Sequence, residues 1–455
     1  MTITEIVESQ KSLFRSGSTR SVETRKRTLQ ILKQVIKKNE KELCDAIRQD
    51  FGKPYIESFI TEIYTVLHEI DLHLKNLDSW SGTESVVGSM VNFPSKSVIY
   101  KQPRGTVLII GAWNYPVYLT FMPLVGALSA GNTVVLKPSD MSPITTSVIG
   151  EIIASAFRPE YITVVVGAAE ETQELLKQPF DYIFFTGSTR VGKIVMKAAA
   201  ENLVPVTLEL GGKSPAIVHE DADIGVAAKR IWWGKSMNAG QTCVAPDYVL
   251  IHESLKEAFI RESKSVLANF FEHGFRPGET YTRIINNNHF DRLVRLLHGE
   301  KIVHGGKYNR EERIIEPAIL EADWESEVMQ EEIFGPLLPL ITYRELPDVI
   351  QELNDRPIPL ALYLFTGDAE VQETIIAQVP FGGGCINDTI SHLANQQLPF
   401  GGAGYSGMGS YHGKYSFETF SRDQAVLKKP VWPDPELRYP PYDDTKLNWF
   451  KKLFT

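Results

Sequence analysis

Cysteine is scarce in this chain: three of 455 residues, at positions 44, 243 and 385. Three thiols so far apart make neither a disulfide framework nor a metal-ligand cluster, so a reducing, cytoplasmic setting and no metal are expected. Clustered basic residues are also missing. With 47 Lys and Arg against 56 Asp and Glu, the formal net charge is −9, and no Lys/Arg stripe reverses that sign locally, which excludes a nucleic-acid partner. The first residues, Met-Thr-Ile-Thr-Glu-Ile, have neither a basic n-region nor an apolar h-region, so no signal peptide is expected. Nor is there an unbroken hydrophobic run of spanning length. The uncharged stretch from Gly105 to Leu136 is interrupted by Trp113-Asn114-Tyr115-Pro116, Pro123 and Gly131-Asn132, and reads as buried strand, turn, helix and strand. Internal repeats and low-complexity tracts are absent.

What is present is alternation. Leu29, Leu32, Ile36, Leu43 and Ile47 recur at helical spacing until Gly52 and Pro54 stop the run, with Cys44 inside it as a structural residue. A second helix is expected from about Glu57 to Leu77. The Val- and Ser-rich stretch Ser85–Gln102, with Asn92-Phe93-Pro94-Ser95 at its middle, predicts a hairpin. Strands at 107–110, 133–136, 162–166, 182–185 and 206–210 then alternate with helices near 119–130, 145–156, 170–177 and 190–200. A second series follows, with strands at 216–218, 248–251, 339–342 and 361–365. Such alternation predicts doubly wound parallel sheets with ligands at the carboxyl ends of their strands. Ser416–Phe420 reads as strand.

Three stretches carry chemistry. Cys243 follows a helical run (222–236) and Gly240-Gln241-Thr242, and precedes Pro246, which stops regular helix. Such a frame suits either a nucleophilic thiol with free backbone N–H groups nearby or a small buried hydrophobe. Phe184-Phe185-Thr186-Gly187-Ser188, continuing through Val191-Gly192-Lys193-Ile194, runs from strand through a glycine turn into a helix, a geometry for phosphate on helix N–H groups or for a plain turn. It is not a P-loop, because Ile194 stands where the magnesium-binding hydroxyl is needed. Glu209 ends an apolar strand before Gly211-Gly212, either as a general base of raised pKa or as the partner of a nearby lysine.

Seven ordered motifs resemble those of the aldehyde dehydrogenase superfamily across nearly the whole chain. They are Asn114 in Ala-Trp-Asn-Tyr-Pro, Lys137 in Leu-Lys-Pro-Ser, the Phe-Thr-Gly-Ser turn and Glu209 in Glu-Leu-Gly-Gly-Lys-Ser-Pro. Cys243 in Gly-Gln-Thr-Cys, Glu332 in Glu-Glu-Ile-Phe-Gly-Pro and Leu-Pro-Phe-Gly-Gly at 398–402 complete the set. The short N-terminus and Gly-Ser-Tyr-His-Gly at 409–413 resemble the class 3 and fatty-aldehyde branch, which implies a homodimer. The resemblance implies Cys243 as nucleophile, Glu209 as the base that activates water, and Asn114 with the Cys243 N–H as oxyanion donors. For NAD or NADP it implies Trp113, Lys137, Ser139 and Asp140, then Thr186, Gly187, Ser188, Val191 and Gly192, then Leu210, Gly211, Glu332 and Phe334. Tyr115 and His392 are pocket candidates, although His392 is equally a structural histidine, and Cys385 is a packed strand residue. Many members carry Glu where this chain has Asp140, which leaves the choice between NAD and NADP open.

The implied fold is two doubly wound α/β domains, a Rossmann-like cofactor domain and a catalytic domain, plus a small β extension for oligomerisation. Residues 1–82 and 101–209 form the cofactor domain, 210–403 the catalytic domain, 83–100 and 404–430 the extension, and 431–455 a C-terminal arm. The expected activity is oxidation of medium- to long-chain aliphatic, or aromatic, aldehydes to carboxylates through a cysteine thioester. A CoA-acylating enzyme is the alternative, disfavoured by the presence of Glu209; a non-catalytic binding protein is a second, disfavoured by Cys243. In the arm, Leu447, Phe450, Leu453 and Phe454 recur at helical spacing. That stripe suits packing on its own subunit, a lid over the aldehyde tunnel, or weak peripheral membrane contact without a span.

Overall fold

The computed structural model describes residues 1–89 and 92–454, with side chains up to 452. Met90 and Val91 of the expected hairpin, and the Leu453 and Phe454 side chains of the expected stripe, lie outside the described residues. Two compact units are present, one of Met1–Trp80 and Pro103–Arg422, the other of Ser81–Gln102 and Asp423–Thr455.

In the first unit the N-terminal helices Val22–Lys38 and Glu40–Phe51 bury Leu29, Leu32, Ile36, Leu43 and Ile47 completely, as their spacing predicts. Cys44 lies among them, and burial pushes its thiol up to about 12. The single helix expected from Glu57 instead comes in three parts: Tyr55–Ser58, a wide π-helical turn Phe59–Tyr64, and the α-helix Thr65–Trp80. The wide turn directs Glu62 inward to a buried partner, a demand that apolar periodicity does not register.

The first sheet has six strands in the order Gly407–Met408, Val206–Glu209, Tyr182–Thr186, Thr106–Ile110, Thr133–Lys137, Ile162–Val164. All are parallel except the first, which runs antiparallel with Gly407 opposite Glu209. Helices cover both faces, so the central strands read as continuous apolar runs. The chain enters at Thr106–Ile110, builds outwards, then returns to the other side at Tyr182–Thr186. That reversal opens a crevice at the carboxyl ends of these two strands. The strand expected to reach Val166 stops at Val164, and the one expected to reach Leu210 stops at Glu209.

The second sheet has seven strands, ordered Lys301–Gly305, Ala318–Glu321, Leu337–Tyr343, Tyr248–His252, Pro215–Val218, Ala361–Phe365, Gly383–Ile386. Only the Lys301–Gly305 strand is antiparallel to its neighbour. Residues 404–422, expected in the β extension, fall in this first unit. Ser416–Phe420, expected as strand, belongs mainly to the helix Gly413–Thr419. Phe417 and Phe420 are buried at a three-residue spacing, and the Ser416 hydroxyl accepts from the His412 N–H, which opens the helix.

In the second unit Glu84–Val86 pairs antiparallel with Lys96–Pro103, the expected hairpin, and Ser421–Lys428 adds a third strand. A Lys101–Asp423 ion pair of 2.6 Å and Lys428 placed 5.3 Å from the Tyr100 ring fasten the sheet. The C-terminal helix Asp444–Phe454 leaves Leu447 and Trp449 exposed. Among the described residues no helix is long and apolar enough to cross a membrane.

Candidate active site

The loop that carries Cys243 is held in an unusual backbone. After the helix Ile224–Ser236, Asn238, Ala239 and Gly240 are all left-handed, with φ of 52°, 53° and 74°. Glycine is required at 240, where a Cβ would lie 2.2 Å from the Gly335 carbonyl oxygen. Side chains secure the other two positions. Asn238 Nδ2 donates to the carbonyls of Asn114 (2.9 Å) and Gln241 (3.0 Å). The Gln241 amide donates to Arg283 O at 2.9 Å and accepts from the Ile285 N–H at 3.0 Å. Cys243 is free and half-buried, and its own N–H and that of Val244 both point at the sulfur. Burial, then the charges of Glu332 and Glu209, push the thiol up to about 12.

Asn114 and Tyr115 come from the turn after the central strand Thr106–Ile110. Asn114 is 3% exposed, and its Nδ2 donates to Gln241 O at 3.1 Å. The Tyr115 hydroxyl meets the Thr242 hydroxyl at 2.7 Å. The turn and the cysteine loop are therefore stitched together at two points. Glu209, at the carboxyl end of its strand, is 3% exposed, and neither carboxylate oxygen has a partner among the described residues. Burial raises its pKa well above the usual carboxylate range. An unpartnered buried carboxyl costs stability, so packing does not explain it.

Several of the residues expected at the cofactor stand at the carboxyl ends of the first sheet's strands or just after them. Thr186 Oγ1 is buried without a partner. Gly187 N–H donates to Glu209 O at 3.0 Å, and a Cβ there would lie 2.6 Å from the Phe185 ring. Ser188 caps the helix Thr189–Glu201, its hydroxyl accepting from the Val191 N–H. Gly192 lets that helix close on Leu210, since a Cβ would sit 2.7 Å from a Leu210 methyl. Lys137 is 3% exposed and donates to Pro138 O at 2.9 Å, and burial lowers its pKa against the opposing charges of Asp140 and Glu171. Ser139 Oγ accepts from the Met141 N–H, and Asp140 is exposed.

Opposite, the Glu332 carboxylate is held by the Gly212 N–H and lies where a Cβ on Gly211 would come within 2.0 Å. Burial, then the charge of Asp247, raises it to about 8. Phe334 is left-handed (φ 50°), and its ring meets Trp113 edge-on at 5.4 Å. A helix N-terminus, an orphaned hydroxyl, a buried ammonium and a carboxylate over paired glycines suit a dinucleotide's phosphates and ribose hydroxyls.

His392 stands apart from this group. Its Nδ1 lies 3.4 Å from Cys385 Sγ, its ring packs near Tyr363 and Phe400, and burial lowers it to about 4, so it is neutral. It is linked to the cysteine loop through Tyr363, whose hydroxyl donates to Val244 O at 2.5 Å. Cys385 is in the strand Gly383–Ile386, as expected. Sequence reasoning passed over Lys53, Glu57 and Glu62, which read as ordinary charges between apolar helical positions. It also left His412 unassigned, although the glycine-flanked segment holding it was noted; His412 Nε2 lies 2.7 Å from the Tyr118 hydroxyl.

Residues 1–426 match the aldehyde dehydrogenase family. The 4,4'-diaponeurosporen-aldehyde dehydrogenase of Staphylococcus aureus is 47% identical over 98% of this chain and 97% of its own. A dimeric NADP-preferring aldehyde dehydrogenase of Canis lupus familiaris is 43% identical over 96% of this chain and 98% of its own. A substrate-bound structure of Staphylococcus aureus AldH superposes with a TM-score of 0.98 at 46% identity, with 100% of both chains covered. Fold, crevice and sequence agree: the chain belongs to the aldehyde dehydrogenase family and oxidises aldehydes with NAD or NADP.

Proposed function

We propose that Cys243 is the nucleophile, Glu209 the general base for hydrolysis, and Asn114 with the Cys243 N–H the oxyanion donors. The observation that carries this reading is the buried Glu209 carboxylate, without a partner among the described residues, together with the Asn114 amide bonded to the loop that holds Cys243. Once the Cys243 thiol has given its proton to solvent, the sulfur bonds to the aldehyde carbon as the carbonyl π pair moves to oxygen, and that oxygen takes the negative charge between the Asn114 amide and the loop N–H. Bound NAD(P) supplies the acceptor for the hydride that the substrate carbon gives up. The carbonyl re-forms as a thioester on Cys243. Glu209 then takes a proton from water as the water oxygen bonds to the acyl carbon, and the carbon–sulfur bond breaks to release the carboxylic acid and the Cys243 thiolate, the acid giving its remaining proton to solvent.

Lys137, Ser139 and Asp140 would hold the adenosine ribose. Thr186, Gly187, Ser188, Val191 and Gly192 would receive the pyrophosphate against Leu210. Gly211, Glu332, Phe334 and Trp113 would frame the nicotinamide half. Tyr115 lines the aldehyde side, and His392 is a structural residue behind it. Residues 1–82 and 101–209 serve the cofactor and 210–403 the chemistry. The three-stranded sheet of the second unit serves a homodimer, and the compartment is cytoplasmic. Medium- to long-chain aldehydes are the favoured substrates, a reading that rests on the resemblance to the fatty-aldehyde branch. Each added methylene should then raise kcat/KM roughly fourfold, about 0.8 kcal/mol, until the pocket is filled.

Cys243→Ala is expected to abolish dehydrogenase activity while cofactor affinity stays within about threefold. Glu209→Gln is expected to give a burst of reduced cofactor and then stall, with the acyl adduct visible by intact mass. Turnover by the alanine variant removes Cys243 from its role. A glutamine variant with neither burst nor adduct moves Glu209 to an earlier step.

A further inference from the structure

Behind the oxyanion side of the site lies an ion pair with no exposure at all. Lys53 Nζ and Glu62 Oε1 are 2.7 Å apart, and both side chains are 0% exposed. Apart from the Phe51 ring, 5.6 Å from the ammonium, the further contacts of this pair among the described residues go to the segment that carries Asn114. The Lys53 ammonium lies 3.8 Å from the Tyr115 ring centre and 3.5 Å from the Asn114 carbonyl oxygen. Glu62 Oε2 accepts from the Val117 N–H at 2.9 Å and the Tyr118 N–H at 3.4 Å, at the start of the helix Tyr118–Ala130. The pair thus brackets the turn 114–118 from both ends. From the same stretch Glu57 accepts from the Asn238 N–H at 2.6 Å, holding the first of the three left-handed residues ahead of Cys243.

The consequence falls on one hydrogen atom. An Asn amide has two N–H donors. One N–H of Asn114 is tied to Gln241 O, which fixes the amide plane. The backbone of Asn114 is fixed separately, by Lys53 and Asn238 on its carbonyl. With plane and backbone both set, the direction of the second N–H is set too. A buried ion pair is weak evidence for stability, since apolar residues of similar volume often serve as well.

We propose that Lys53 and Glu62 form a positioning pair that aims the free N–H of Asn114 at the substrate oxyanion. The proposal rests on the reading of Asn114 as an oxyanion donor.

The test uses full-length enzyme with its cofactor and the double variant Lys53→Met/Glu62→Gln. Both charges of the pair are removed in it, Glu57 keeps its bond from the Asn238 N–H though it loses the nearby ammonium, and the new amide oxygen still accepts from Val117. The burst of reduced cofactor, normalised to folded protein, is expected to slow about ten- to hundredfold, short of the loss of a whole oxyanion donor. KM for the aldehyde is expected within about threefold of wild type. Cofactor-free alkylation of Cys243 by iodoacetamide, read by intact mass, should not change, because the thiol itself is undisturbed. Asn114→Ala alone should slow the burst by about 10²–10³. In that background the double variant should add less than about threefold, since nothing is left to aim.

A wild-type burst rate per folded enzyme overturns the proposal and leaves the pair a purely structural one. So does full multiplication of the two effects, or a loss of alkylation as large as the loss of burst. If Asn114→Ala alone keeps the wild-type burst, the oxyanion reading falls first and the positioning role with it. Should the double variant not fold, Glu62→Gln alone is measured against the same outcomes.

Discussion

Glu209 and Cys243 are both held away from their reactive charge states by the surroundings that make them useful. Burial raises the Glu209 pKa, so the folded enzyme binds that proton more tightly than an exposed carboxylate would. The sign follows directly: the base form is scarce at acid pH and grows as pH rises through the raised pKa. Deacylation, measured as the steady-state rate after the burst, is therefore expected to climb with pH, roughly tenfold per pH unit while the acid form dominates. In Glu209→Gln the slope should vanish; persistence of the same slope would assign it to another group, with Glu332, raised to about 8, next in line. Cys243, Asn114 and Glu209 were legible because each stands in a short frame whose chemistry is local. Lys53 and Glu62 were not. They stand nine residues apart on either side of the start of a wide helical turn, and their targets lie 55 to 61 residues further along the chain.

At the scale of elements, loops decide more than strands. The strand positions of both sheets follow from apolar runs bounded by turn residues, and most were read to within a residue or two. The helix Gly413–Thr419 was misread because it is short and its Tyr415 and Phe417 suit strand propensity equally well; tertiary burial decided the outcome. The cysteine loop is the element most exposed to a single change. Gly240→Ala would put a side chain on a left-handed residue and against the Gly335 carbonyl. The backbone alone costs about 1–2 kcal/mol, and the clash adds to it. The expected result is a lower unfolding midpoint together with loss of the burst; a stable, fully active variant would show that the loop relaxes. In the loop after the Thr133–Lys137 strand, Asp140 is exposed and shorter by one methylene than the commoner glutamate. Both cofactors are expected to support turnover, and Asp140→Glu to shift preference towards NAD. Rejection of NADP by wild type by more than about a thousandfold, roughly 4 kcal/mol, would sink that idea.

At the scale of the whole molecule, the second unit leaves a three-stranded sheet with Val86, and Val87 just beyond its strand, exposed. A homodimer is expected in solution, with a light-scattering mass twice the 51.1 kDa of one chain. Replacing 84–100 by a short linker should yield the monomer mass, and an unchanged mass would place the interface elsewhere. One feature of the first sheet bears on how the protein is made. The strand ending in Glu209 is completed by Gly407–Met408, which the ribosome delivers almost two hundred residues later. At about 5–20 residues per second, that is a wait of roughly 10–40 s. During this interval the nascent chain carries a bare strand edge beside its future general base, a template for pairing with a neighbouring chain. Chaperone demand, and the aggregation of products broken off before residue 404, should therefore concentrate in that window of synthesis.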